Sequence, residues 1–200
     1  MCTVIGFSGK FEKAPIPKIL DESRCRGVHA FGYSFYSGGA IKTKKFLNYL
    51  KFKRSLISEK PNKFIAHFRY STSGDWQKAE LNQPLEDKSV ALAFNGVISQ
   101  KDKTGMEDEF NIRMPFENDG FILLDRLICG KSDLPRGATY ATCFLRGGEV
   151  FALRNRNRPL HLIDNEDYRL AVSTANIAKR AGINKTALLN VGEEVNLCSV

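Results

Sequence analysis

No apolar run in this chain approaches the roughly 20 residues needed to cross a bilayer. Its opening, MCTVIGFSGKFEK, has no charged leader ahead of an apolar core, so a secretory signal is not expected and a cytoplasmic location is. Paired cysteines are missing too. Cys2, Cys25, Cys129, Cys143 and Cys198 are an odd, scattered set of 5 with no C-x-x-C, which excludes a disulfide framework and a zinc ribbon. His29, His67 and His161 lack metal-ligand spacing, so neither a metal nor a cofactor is expected. There is no repeat, low-complexity tract or Pro/Gly-rich linker, so residues 1–200 read as one domain with no second, fused one. Helix-turn-helix and aromatic RNA-binding patterns are also absent, and nucleic acid is an unexpected partner despite a net charge of +8.

What is present is an ordinary globular composition, 42% hydrophobic and 26% charged. A chain of this size buries roughly 70% of its unfolded surface, enough to fold without cross-links. Four of the thiols are therefore expected to be small buried hydrophobes. β-Rich runs recur at CTVIGF, HAFGYSFY, Lys63–Tyr70, Ser89–Phe94 and a final EVNLCSV. ATYATCFLR and EVFALRN, joined by Gly147-Gly148, predict a hairpin, and RPLHLID and YRLAVS flank a turn at Asn165–Asp167. Helical spacing appears in Asp119–Cys129, capped by Asn118 or Asp119, and near Asn176–Arg180. Lys42–Arg54, KTKKFLNYLKFKR, reads as an amphipathic helix with a basic face, either solvated or an anchor for nucleic acid or an acidic partner. Lys101–Pro115 reads as a long surface loop. Many antiparallel strands with a few helices give an α+β layered fold.

Four groups of residues carry chemistry. Removal of Met1 would leave Cys2 with a thiol and a free α-amine, whose pKa near ~8 suits a base at neutral pH. Arg69, at a strand end and followed by small hydroxyl residues in IAHFRYSTSG, offers a planar fork for a carboxylate, or else a structural ion pair. Asn95-Gly96 follows an apolar strand; it makes either a hairpin turn or a pair of N–H donors for a tetrahedral oxyanion. Asp119 opens a helix, as its N-cap or as a partner for a substrate ammonium.

Taken in order, these pieces resemble the glutaminase domain of the class II glutamine amidotransferases, a branch of the N-terminal nucleophile hydrolases. The family's Cys-Gly-Ile-x-Gly start is similar to CTVIG, with Cys2 and Gly6. Its R-G-x-D-(A/S)-x-G is matched by Arg26-Gly27-Val28-His29-Ala30-Phe31-Gly32, and its H-x-R-(Y/W)-x-T by His67-Phe68-Arg69-Tyr70-Ser71-Thr72. Gln83-Pro84, Asn95-Gly96, Asn118-Asp119, RNRNRPLHLI and LAVSTANIAKRAGI continue the series to near the end of the chain. Departures fall at Thr3, His29, Phe94 and Phe121.

The resemblance implies a four-layer α/β/β/α sandwich of the N-terminal nucleophile hydrolase type, with two antiparallel sheets between helices. It implies L-glutamine as substrate, hydrolysed through a Cys2 thioester, with ammonia passed to a separate synthetase or amidating subunit. Asn95 and Gly96 would stabilise the oxyanion. Arg69, Thr72 and Asp119 would bind the amino-acid end, Arg26 and Gly27 would support the N-terminus, and Ser73–Leu81, hinged at Gly74, would close over the site. An amidase of another specificity, or a non-catalytic glutamine-binding module, are the other readings this pattern admits.

Overall fold

The computed structural model describes residues 1–71, 75–130 and 137–198. In chain order the first half forms β1 (Thr3–Gly9), α1 (Ile16–Ser23), β2 (Ala30–Ser37), β3 (Ala40–Phe46), α2 (Tyr49–Glu59), β4 (Lys63–Arg69), β5 (Leu85–Glu86) and β6 (Val90–Val97). The second half adds α3 (Lys103–Phe110), α4 (Gly120–Ile128), β7 (Thr139–Arg146), β8 (Glu149–Arg154), β9 (His161–Asp164) and β10 (Tyr168–Val172). It ends in α5 (Ala175–Arg180), β11 (Ala187–Leu188) and β12 (Val195–Asn196). One sheet runs β11-β9-β10-β1-β4-β2-β3 and the other β12-β8-β7-β6-β5, and each neighbouring pair is antiparallel.

Side-chain alternation along the strands separates three apolar layers. Along β1, Ile5 and Phe7 face outward onto Ile19 and Leu20 of α1, Phe52 and Leu56 of α2 and Ile177 of α5. Val4 faces inward, where it joins Ile65, Ala91, Ala93, Ala141 and Ala171 between the two sheets. Beyond the second sheet, Leu92, Phe94 and Phe144 pack on Met106 of α3 and Ile122, Leu123 and Leu127 of α4. The result is the expected helix–sheet–sheet–helix sandwich. Its middle layer is rich in alanine, and at Gly6 the sheets lie close: a Cβ there would stand 2.9 Å from the Cys143 Sγ.

Several local expectations fail for identifiable reasons. Lys42–Arg54 is not one helix. Its first half is β3, paired with β2 from Ala40 to Phe46. Asn48 then starts α2 by accepting a hydrogen bond from Lys51 N at 3.0 Å. Leu47 and Leu50 are exposed, while Phe46 packs as a strand residue. Part of the basic charge is neutralised locally, since Lys53 binds Asp21 at 2.7 Å and Lys44 pairs with Glu59. Lys101–Pro115 is not a loop throughout, because the Asp102 side chain caps α3 by accepting from Gly105 N at 2.8 Å. The burial of a single side chain of α3, Met106, explains its weak sequence signal. Helix α1, with Ile16, Ile19, Leu20 and Ser23 buried on one face and Pro17 in its first turn, went unread. Of the cysteines expected inside, Cys143 is buried and Cys198 half-buried, but Cys25 and Cys129 are exposed.

The outer core of the first sheet is a cluster of aromatic rings centred on Phe52, whose ring centroid lies 5.6 Å from Phe31, 6.0 Å from Tyr33 and 5.3 Å from Phe68. We expect Phe52→Ala to lower the unfolding free energy by about 3–5 kcal/mol, the usual cost of a cavity left by a fully buried aromatic. Urea denaturation checks it, and a loss below about 1 kcal/mol would mean that the cluster collapses around the gap.

Candidate active site

The register of the first sheet fixes the nucleophile's surroundings. β1 is its central strand, with β10 on one side and β4 on the other. Thr3 pairs with Phe68 and Val4 with His67, so continuing the ladder sets Cys2 opposite Arg69. Alternation puts Cys2, Val4, His67 and Arg69 on the inward face. Thr3 faces the other way, fully buried, and its Oγ1 donates to Ser23 O of α1 at 3.3 Å. The Cys2 Sγ accepts from Tyr70 N at 3.4 Å and lies 3.8 Å from Tyr70 O. Burial raises the thiol above its ordinary pKa, against smaller opposing effects from the Tyr70 backbone, the N-terminal charge, Arg69 and Arg26. The thiol is therefore protonated at rest and needs a base to attack.

Arg26 and Gly27 stand behind the nucleophile. Arg26 Nε donates to Cys2 O at 3.2 Å, which fastens the start of β1. A Cβ on Gly27 would fall 2.3 Å from Phe68 O, so only glycine lets this segment lie flat on β4. His29 occupies the position where the family motif has aspartate, and it still supplies an acceptor: its Nδ1 takes Ser71 N–H at 2.9 Å. Its ring stacks on Trp76 at 5.2 Å and lies 5.0 Å from Tyr70.

Arg69 is bound into the 75–82 segment. Its Nη1 donates to Leu81 O at 3.1 Å and to Asn82 Oδ1 at 2.7 Å. Asn82 Nδ2 in turn donates to Trp76 O and Lys78 O. Thr72 and the hinge residue Gly74 lie outside the described residues.

Asn95 and Gly96 are not at a turn. They sit inside β6, opposite Ala141 and Tyr140. Both backbone groups of Tyr140 are directed to Asn155: Tyr140 N donates to Asn155 Oδ1 at 2.6 Å and Tyr140 O accepts from Asn155 N at 2.9 Å. Gly96 and Tyr140 are therefore a non-hydrogen-bonded pair, and the Gly96 N–H points off the opposite edge of β6. The amides two residues to either side point the same way. Phe94 N donates to Gln83 Oε1 and Ile98 N to Asp119 Oδ2, each at 2.6 Å. A Cβ on Gly96 would come within 1.9 Å of Thr139 O, so glycine is required there. The Asn95 Nδ2 is buried without a hydrogen-bond partner.

Asp119 makes no side-chain cap to α4; Asn118 Oδ1 does that work by accepting from Gly120 N at 3.0 Å. The Asp119 carboxylate faces β6 instead. Burial raises its pKa, opposed by the amides of Ile98 and Ser99. Phe94 and Phe121, two departures from the family pattern, are packing residues. Phe94 fills the space left by the missing side chain of Gly120, and Phe121 meets Phe116 edge-on at 4.9 Å.

Cys2, Arg69, Asn95, Gly96 and Asp119 line one cleft of about 750 Å³, so five of the expected residues converge. Two further cleft residues carried no role in the sequence reading, although both lie in motifs quoted there. His67 is fully buried, and desolvation followed by the nearby Arg69 pushes it down to about 3, so it is neutral. Neither of its ring nitrogens has a hydrogen-bond partner; the Phe94 carbonyl is near, but outside bonding geometry. The second is Arg158. Among the described residues no three His, Cys, Asp or Glu side chains converge as a metal site, and no helix is long and apolar enough to cross a membrane.

No family of known proteins is matched by the sequence, and no curated protein aligns with it. Solved structures do match. Glutamine phosphoribosylpyrophosphate amidotransferase from B. subtilis, complexed with ADP and GMP, superposes with a TM-score of 0.67 at 19% identity, over 94% of this chain and 44% of its own. An allosteric regulatory enzyme of purine biosynthesis gives 0.70 at 21% identity, again over 94% and 44%. A glutamine aminotransferase class-II domain protein from Silicibacter pomeroyi gives 0.55 at 10%, over 99% and 95%. The chain thus spans less than half the length of the first two, and what it shares with all three is the fold: that of the class II glutamine amidotransferase domains.

The raised carboxyl pKa of Asp119 has a stability consequence. As pH rises from the unfolded-state pKa through the higher folded-state one, the unfolded chain loses its proton first, and stability falls. Asp119→Asn keeps an oxygen for Ile98 N but removes that charge. We expect the variant to be more stable than the parent at neutral pH, by about 1 kcal/mol or less, with the difference vanishing at acid pH. Urea midpoints across that range test it, and a variant less stable at neutral pH would mean the carboxylate is a net stabiliser.

Proposed function

We propose that this chain is a glutaminase of the class II amidotransferase type, which hydrolyses L-glutamine to glutamate and ammonia at Cys2. The observation that carries the reading is the convergence in one cleft of a thiol, an arginine, a buried carboxylate and an amide N–H aimed off a strand edge. A thiol alone fits many chemistries. An arginine and a carboxylate beside it suit the two charged groups of an amino acid.

Removal of Met1 exposes the α-amine of Cys2, still held through its carbonyl by Arg26. Glutamine places its α-carboxylate on Arg69, with Thr72, and its α-ammonium on Asp119, which sets the carboxamide beside the thiol. The α-amine takes the thiol proton, directly or through one water. The thiolate attacks the carboxamide carbon, and the oxyanion accepts the Gly96 N–H and the Asn95 Nδ2–H, the latter after a turn of the Asn95 amide toward the cleft. As the tetrahedral intermediate collapses, the C–N bond breaks and the α-ammonium returns its proton to the leaving nitrogen. This yields ammonia and a Cys2 thioester. Water, deprotonated by the same amine, then attacks the thioester and releases glutamate and the thiol. The ammonia passes to an acceptor beyond these 200 residues. A protein that co-purifies and stimulates glutamine hydrolysis would bear this out, whereas full activity alone would count against an obligate acceptor.

Intact mass before and after treatment with a diazo-ketone analogue of glutamine tests the core of the proposal. We expect a chain lacking Met1 that gains one adduct, at Cys2. Labelling of Cys25 or Cys129, the two exposed thiols, would reject the assignment. Cys2→Ala should abolish hydrolysis with the fold intact. Asn95→Ala should lower kcat about 10²–10³-fold, as for other oxyanion donors. Arg69→Ala and Asp119→Ala should act mainly on KM, because the groups they bind do not change during the reaction.

A further inference from the structure

Arg158 is a charged residue of the cleft that the glutaminase mechanism does not use, as are Lys101 and Glu117. It follows β8 in the 155–160 connection and reaches the cleft wall that also carries Met1 and Cys2. Its main chain is held in place: Arg154 Nη1 donates to Arg158 O at 3.4 Å and to Asn155 O at 3.5 Å, and Asn155 is itself bound to both backbone groups of Tyr140. The side chain has no such ties. Its Nε is buried without a hydrogen-bond partner, and no carboxylate of the described residues lies within ion-pair distance of it. Its electrostatic neighbour is another cation, Arg26, whose guanidinium is disfavoured by Arg158 as well as by burial. Arg26 has no carboxylate partner among the described residues either, and its outer nitrogen rests on the Met1 Sδ at 3.7 Å.

Two like charges in a partly buried place repel, and a buried N–H with no acceptor costs about 1–3 kcal/mol. An anion between the guanidiniums and the cleft relieves the repulsion, and a turn of the Arg158 fork toward it would give Nε an acceptor as well. A guanidinium presents a planar fork matched to two oxygens of a carboxylate or phosphate. The cleft, at about 750 Å³, is in the size range of sites for much larger ligands than a single amino acid. Removal of Met1 would also free the Arg26 nitrogen now resting on its sulfur.

We propose that Arg158, flanked by Arg26, is the anchor of a second anion subsite in this cleft, which holds the carboxylate or phosphate of a small molecule other than glutamine. It adjoins Arg26, whereas Arg69 and Asp119 are the positions assigned above to the amino-acid end. The subsite uses the cleft but not the thiol chemistry, so it can be tested on its own.

Calorimetric titration of the Cys2→Ala protein with inorganic phosphate and, separately, malonate, at low salt and with saturating glutamine present or absent, gives the reading. We expect saturable binding of at least one of the two anions, and which one binds distinguishes a phosphate from a carboxylate ligand. Arg158→Gln should weaken that binding by about tenfold or more, and Arg158→Lys, which keeps the charge but not the fork, by less. Glutamine should leave the anion affinity unchanged. No saturable binding of either anion, equal binding by Arg158→Gln, or displacement of the anion by glutamine would each overturn the proposal. Glutamine turnover by the parent chain judges the glutaminase reading separately, so the two can fail independently.

Discussion

The site depends on the early end of one short strand. β5 covers β6 only at Leu92 and Ala91, and beyond that point the outer edge of β6 has no strand beside it. Three successive outward amides, at Phe94, Gly96 and Ile98, therefore need partners from elsewhere or a ligand. Gln83 takes the first and Asp119 the third. The amide between them is aimed at the cleft by default. Pairing continued in the same register back to Leu81, opposite Gly96, would turn the same peptide into an ordinary rung of the ladder. The neighbouring elements hold the edge open: Gln83 and Pro84 fit over Gly32, where a Cβ would meet the Gln83 carbonyl at 2.3 Å, and Gly120 admits the Phe94 ring.

Burial sets the protonation states around that edge, and it does so in a consistent direction. It keeps the Cys2 thiol protonated, holds His67 neutral and works against ionisation of Asp119. The charged side chains that line the cleft are Arg69, Lys101, Arg158, Glu117 and Asp119, with Arg26 bound to the Cys2 carbonyl. The cations Arg69 and Arg26 oppose the effect of burial on the Cys2 thiol without outweighing it.

The departures from the family pattern are accommodated without loss of the framework. Thr3 turns its hydroxyl away from the cleft to α1. His29 replaces a carboxylate by a ring nitrogen that still accepts from Ser71, and it gains stacking on Trp76. Phe94 and Phe121 extend the core under α4. Of the four, Phe94 is among the residues that line the cleft, and Thr3, His29 and Phe121 are not.

Much of this was legible from the sequence, because strand alternation and ordered motifs are local properties of the chain. The runs that became β1, β2, β4, β6 and the β7–β8 hairpin could be read from their residues, as could α4 and α5. Cys2, Arg69, Asn95, Gly96 and Asp119 could be named one by one. The sequence did not decide that Lys42–Phe46 would be a strand, since its lysines fit either period and the pairing with β2 settled it. Nor could it tell that Asn95-Gly96 would lie inside a strand instead of at a hairpin turn, or that the Asp119 carboxylate would face β6 instead of capping α4. Each depended on where a distant backbone group lay: Tyr140 in one case, Ile98 in the other. Burial is likewise a property of the assembled layers, so the neutral His67 and the unpaired Arg158 emerge only when β4, β6 and the β8–β9 connection meet around the same cleft.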